Sequence, residues 1–146
     1  MLSNADILTL LPHQNPFRFV DEITFVDENS IEGHYTFLAN AFFYQGHFPS
    51  MPITPAVILT ECAAQIGLVC FGIYLLNLQG IPFDNKKWPL FTSSNMQYYK
   101  KVFPGEKLFV RATKTVFRHG KLRSTVEMID IDKNLVCDGQ ISGMFV

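Results

Sequence analysis

Cysteine is scarce in this chain: three in 146 residues, at positions 62, 70 and 137. An odd number at wide spacing makes neither a disulfide framework nor a zinc-ligand set, so Cys62, Cys70 and Cys137 are expected as reduced, buried thiols of a cytoplasmic protein. An excess of positive charge is also missing. Lys and Arg total 12 against 13 Asp and Glu, which excludes the overall positive field of a general nucleic-acid binder. The opening Met1-Leu2-Ser3-Asn4-Ala5-Asp6 has no basic stretch and no small-residue cleavage site after it, so no secretory signal is expected. His13, His34 and His119 have no carboxylate or cysteine at ligand spacing, and no metal site is expected. Without repeat, low-complexity tract or compositional break, the chain reads as one domain over residues 1–146.

Apolar surface, by contrast, is plentiful. Hydrophobic residues make up 48% of the chain and aromatics 14%, with 14 phenylalanines, more than a small monomer usually hides. Subunit contacts are expected to cover the surplus.

The longest apolar run, residues 56–78, is long enough to raise the question of a membrane span. Glu61 and Gln65 inside it are costly in hydrocarbon, and the run is read instead as a central buried helix. Thr54 is the expected N-cap and Pro55 the expected first helical residue, where a missing N–H costs nothing. Residues 77–87 collect Gly80, Pro82, Asp84 and Asn85 and read as the loop leaving the helix.

Strands are expected around it. Residues 17–25 and 30–37 precede the helix, joined by a turn at Asp27-Glu28-Asn29. Residues 107–118, 121–132 and 135–146 follow as an antiparallel meander, with turns at His119-Gly120 and Lys133-Asn134. A helix apolar all round needs a sheet to cover it, which predicts an α+β domain with a sheet curled round one helix.

Chemistry-bearing residues concentrate in Gly46-His47-Phe48-Pro49-Ser50-Met51-Pro52-Ile53-Thr54-Pro55. Three prolines restrict this loop and hold His47 at low entropic cost relative to the helix start, as a catalytic base requires. Glu61 lies between one and two turns into the apolar helix, where burial favours the protonated acid. Gln65, at i+4, shares its face and can orient it. The N–H groups of Ala56 and Val57 lack helical partners and lie at the positive end of the helix dipole, placed to polarise a carbonyl oxygen. Cys62 adjoins Glu61 but points about 100° away on the helix, in surroundings that disfavour thiolate. The bland alternatives are a hydrogen-bonded turn histidine and a glutamate that only satisfies backbone.

Leu11-Pro12-His13, Pro16-Phe17, Val20-Asp21, Phe42-Phe43, Gly46-His47-Phe48-Pro49, Pro52, Pro55, Glu61 and Ala64-Gln65 together resemble the 3-hydroxyacyl-acyl carrier protein dehydratases of the FabZ and FabA type. The most specific stretch is GHFPSMPITPAVILTECAAQ, residues 46–65, with its His-to-Glu interval and interposed prolines. The resemblance implies a hot-dog fold, dimers or trimers of dimers, and active sites that take the histidine from one subunit and the glutamate from its partner. It implies His47 and Glu61 as the catalytic pair, with Phe48, Pro55, Ala56, Val57 and Gln65 against the substrate. The implied substrate is a (3R)-hydroxyacyl group on the phosphopantetheine of an acyl carrier protein, dehydrated without a cofactor to the trans-2-enoyl thioester. Lys86, Lys87, Lys100 and Lys101 are candidates for the carrier dock, or simply a solvated surface.

Ser50 and Ala56 depart from this pattern, standing where the family usually has glycine. Asn15 replaces a common aromatic, the stretch 98–105 lacks a proline before Pro104-Gly105, and the loop 79–88 is long. Fatty acid synthesis and a specialised polyketide or aryl-polyene pathway both remain open. So do two other readings, a hot-dog acyl thioesterase and a non-catalytic partner subunit that keeps the fold.

Overall fold

The computed structural model describes residues 2–84 and 86–146. Met1 and Asn85, used above in the N-terminal and loop readings, lie outside it. The elements are α1 (Asn4–Leu10), β1 (Glu22–Val26), β2 (Ser30–Thr36), a 3-10 turn (Phe42–Gln45), α2 (Ala56–Leu78), β3 (Pro89–Tyr98), β4 (Lys107–Arg118), β5 (Lys121–Ile129) and β6 (Leu135–Phe145). The strands form one sheet in the order β1-β2-β4-β5-β6-β3, antiparallel throughout. This is the hot-dog architecture that the resemblance implies.

Alternation along the strands decides which face meets α2. Ile31 and Tyr35 of β2, Leu108, Val110 and Ala112 of β4, and Leu122, Val126 and Met128 of β5 are buried, with outward neighbours more exposed. Gly67 sits where the helix passes close to β4 and β5. A Cβ there would meet Ala112 Cβ at 2.9 Å and Val126 Cγ1 at 3.0 Å, so a side chain at 67 would push the layers apart.

The apolar run is long enough to cross a membrane by composition, yet 83% of its most apolar window is buried inside the domain. It is one continuous helix with a π-helical segment at Gln65–Cys70. One carbonyl of that segment, Gly67 O, accepts a hydrogen bond from Ser124 Oγ at 2.8 Å, which ties the irregular turn to β5.

Two of the three hairpin turns fall where expected, and the third is centred on Ile131-Asp132, two residues before the expected Lys133-Asn134, so that β5 ends at Ile129 and not at 132. Asp27 Oδ1 accepts from the N–H groups of Asn29 and Ser30, both at 2.8 Å. His119 and Gly120 both have positive φ, 51° and 75°, as a tight two-residue connection requires. Lys133 has φ 65°, and β5 stops at Ile129 because the Asp130 carboxylate draws in the N–H groups of Asp132 and Asn134.

Several expectations need correction. The first strand begins at Glu22, not residue 17. The helix begins at Ala56 with Pro55 in the cap position, one residue later than expected. Thr54 does not cap it, because its hydroxyl is taken by Tyr44 OH at 2.6 Å. Two elements were not anticipated: α1, closed by a capping box between Ser3 and Asp6, and β3, the edge strand beside β6.

Candidate active site

The loop before α2 is fastened on both sides of His47. The Ile53 N–H donates to His47 O at 2.9 Å, and His47 Nδ1 lies 2.9 Å from Ile53 O. A carbonyl oxygen only accepts, so Nδ1 carries a hydrogen, and in the neutral ring Nε2 presents its lone pair. Phe48 stacks on the imidazole with centroids 4.3 Å apart and an interplanar angle of 20°, and the peptide between them is cis. The loop is docked further by Thr54 N–H donating to Val102 O at 2.8 Å.

His47 faces a cleft shared with Ile53, Ala56, Leu59, Tyr98 and Lys101. Ala56 is exposed there at the helix start, and the first helical hydrogen bonds are made by Ile58 and Leu59, both to Pro55 O. The N–H groups of Ala56 and Val57 have no hydrogen-bond partner among the described residues and carry the positive end of the helix dipole. Val57 is 73% exposed, whereas Pro55 is buried.

Glu61 faces a different cleft, with His13, Ala64, Leu68, Leu90 and Phe91 among its walls. Its side chain is 21% exposed. Gln65 Nε2 donates to Glu61 Oε1 at 3.0 Å and to Phe17 O at 3.0 Å, while Gln65 Oε1 accepts from the Phe19 N–H at 2.7 Å. Gln65 is wholly buried, so the donors of its amide are fully used in fixing the carboxylate to the segment before β1. One chain thus bonds Glu61 to Gln65 on one cleft and sets His47 and Ala56 along another.

His13, which had no carboxylate near it in sequence, lies with Nε2 3.6 Å from Glu61 Oε1. Its Nδ1 is buried without a partner among the described residues. Burial pushes the His13 pKa down, the Glu61 charge opposes this, and Arg18 adds to the lowering. The Leu11-Pro12-His13 motif marked this residue, but spacing alone carried no sign of its neighbour.

Cys62 is no nucleophile in this geometry. It is completely buried, its Sγ donates to Phe19 O at 3.2 Å, and burial holds its thiol well above the ordinary range. Cys70 and Cys137 are likewise buried and free, both pushed up to about 12. Among the described residues no group of three or more His, Cys, Asp or Glu side chains is placed to hold a metal ion.

Of the four lysines, Lys100 and Lys101 line the His47 cleft. Lys100 is committed to an ion pair with Asp130. Lys87 lies elsewhere, beside Trp88 and the end of α1.

Residues 11–142 match the FabA-like domain family. The 3-hydroxyacyl-acyl-carrier-protein dehydratase FabZ of Bacillus velezensis is 32% identical over 143 residues, 97% of this chain and 96% of that protein. Among solved structures, the dehydratase heterocomplex ApeI:P from Xenorhabdus doucetiae has a TM-score of 0.78 at 11% identity, over 99% of this chain and 91% of that one. A thioesterase from Haemophilus influenzae has a TM-score of 0.69 at 15% identity, over 100% and 92%. These two structures speak to the fold alone, which different chemistries share. The family match over most of the chain, and the FabZ relative aligned nearly end to end, establish that this chain belongs to the FabA-like family.

Proposed function

We infer that this chain dehydrates 3-hydroxyacyl thioesters of acyl carrier protein, with His47 as the base and Glu61 as the acid. The observation that carries the assignment of roles is the fixed imidazole: with Nδ1–H held by Ile53 O, Nε2 is the nitrogen free to take a proton. It removes the proton at Cα of the substrate. The electron pair left behind forms the double bond as the C–O bond at C3 breaks, and Glu61 gives its proton to the departing hydroxyl, which leaves as water. The Ala56 N–H stabilises charge on the thioester oxygen while the α-proton is in flight. Gln65 is a positioning residue in this scheme, acting through Glu61.

The two halves of the site belong to different subunits. His47 and Glu61 open on separate clefts of one chain, and Glu61's cleft runs beside β3, a ten-residue edge strand bearing exposed Leu90, Phe91 and Tyr98. An uncovered apolar edge of that length invites a second copy. A dimer that covers it brings His47 of one subunit to Glu61 of the other, and trimers of such dimers are compatible with the same contact. The carrier protein docks at the mouth of the His47 cleft, where Lys101 offers positive charge. The reduced, buried cysteines fit a cytoplasmic enzyme.

The test is mass spectrometry of carrier-bound 3-hydroxyacyl substrate incubated with the unmodified protein and with folded His47→Ala and Glu61→Ala variants. Loss of one water, abolished in both variants, supports the reading. Release of the free acid instead would make the protein a thioesterase.

A further inference from the structure

Glu61 lines a narrow groove, partly open to solvent, whose walls also include Gly143 and Phe145. Ala64 and Leu68 continue the same helix face away from the carboxylate, and the remaining walls are mostly apolar. β6 runs alongside in the same sense. A Cβ built on Gly67 would approach Ile141, one on Gly143 would approach Leu68, and one on Gly72 would meet Phe145. Gly143, with no side chain, lets Leu68 of the helix pack closely against β6, where a Cβ at 143 would stand 3.3 Å from Leu68 Cδ1. Phe145 is the next residue of β6 on that face, and its ring fills the space.

The fit at the far end is close. The tip of the Phe145 ring occupies the place where a side chain at 72 would begin, with Cε2 2.1 Å from an ideal Cβ there. Phe145 is 8% exposed, and Phe83 of the long 79–88 loop holds it edge to face, centroids 5.6 Å apart at 86°. Gly72 lies eleven residues beyond Glu61, roughly 16 Å along the helix axis. An alkyl chain that enters past the carboxylate therefore runs along apolar walls until it meets this ring.

We propose that Phe145, braced by Phe83 and seated on Gly72, closes the acyl groove and sets the longest chain the enzyme accepts. The proposal rests on the dehydratase reading above. It makes Phe145 a specificity-determining residue, and it gives the long loop a role in acyl-chain selection through Phe83.

The experiment measures kcat/KM for water loss from a saturated 3-hydroxyacyl series on acyl carrier protein, from butyryl to palmitoyl. It compares the unmodified protein with Phe145→Ala, Phe145→Leu and Phe83→Ala. The expected result is a sharp fall beyond one chain length in the unmodified protein. Phe145→Ala then moves that limit to longer chains, raising the long-to-short ratio about tenfold or more, the discrimination a few methylenes carry in an apolar pocket. Phe145→Leu and Phe83→Ala move it the same way by less, and Phe145→Leu carries the test if the alanine variant does not fold. An identical length profile in the unmodified protein and every folded variant overturns the proposal and leaves the dehydratase reading standing. No water loss at any length from the unmodified protein overturns both.

Discussion

Gln65 holds Glu61: its amide donates to the Glu61 carboxylate at 3.0 Å, while the rest of the same amide is pinned by the backbone of Phe17 and Phe19. The acid of the proposed mechanism is thereby fixed, through Gln65, from the segment before β1, where Phe19 lies 46 residues from Gln65 in sequence.

Replacing Gln65 by Leu removes this clamp, releases the part-buried Phe17 C=O and leaves the buried Phe19 N–H without its partner, the last at a cost of about 1–3 kcal/mol. Misplacement of a catalytic group by an ångström costs on the order of a hundredfold in rate. Gln65→Leu is therefore expected to lower the melting temperature and to reduce kcat by about 10- to 100-fold while KM changes little. Steady-state kinetics alongside thermal melts check this. A variant with lowered stability and unchanged kcat would reduce Gln65 to a core residue.

His13 gives a pH signature. Its pKa is lowered in the folded state, chiefly by burial, so the folded protein binds fewer protons at this site than the unfolded chain. The stability it contributes is present above 6.5, the ordinary histidine value, and is lost as pH falls through the lowered folded value. Urea unfolding at a series of pH values is expected to show a steeper loss of stability on acidification for the unmodified protein than for His13→Gln. Parallel curves would count against a buried neutral His13 beside Glu61.

At the β5–β6 turn, the Lys100 ammonium, followed by the Asn134 N–H, holds the Asp130 carboxyl down to about 2. A depressed carboxylate stabilises the fold above its unfolded value, 3.8, and that contribution disappears as pH falls toward 2. Asp130→Asn is expected to melt at lower temperature than the unmodified protein near neutrality, with the gap closing as the pH is taken from about 4 toward 2. Calorimetry across that range checks it, and a gap that persists in acid would assign the effect to the turn's hydrogen bonds rather than to the ion pair.

The central helix, the turns and the His47 loop were legible because each leaves a local mark: a long apolar run, positive-φ residues, stacked prolines. β3 left no such mark. Its middle, Thr92-Ser93-Ser94-Asn95, is exposed at every position, so the alternation that reveals a half-buried strand is absent. α1 is only seven residues, and its signal was the Ser3–Asp6 capping box. The π-helical segment and the His13–Glu61 contact depend on packing between distant parts of the chain, which neither periodicity nor spacing encodes. The same holds for Phe145 over Gly72. A terminal strand residue and a helical glycine declare nothing about each other until the sheet is laid along the helix.

The most direct test of the account mixes the two inactive proteins. His47→Ala and Glu61→Ala subunits, unfolded and refolded together or co-expressed with different tags, form mixed dimers in which one site receives His47 from one chain and Glu61 from the other. If the active site is shared between subunits, an equal mixture recovers about a quarter of the unmodified activity, since half the dimers are mixed and each has one intact site of two. If mixed dimers, isolated through both tags, remain as inactive as either parent, His47 and Glu61 do not meet across a dimer interface and the proposed mechanism is wrong.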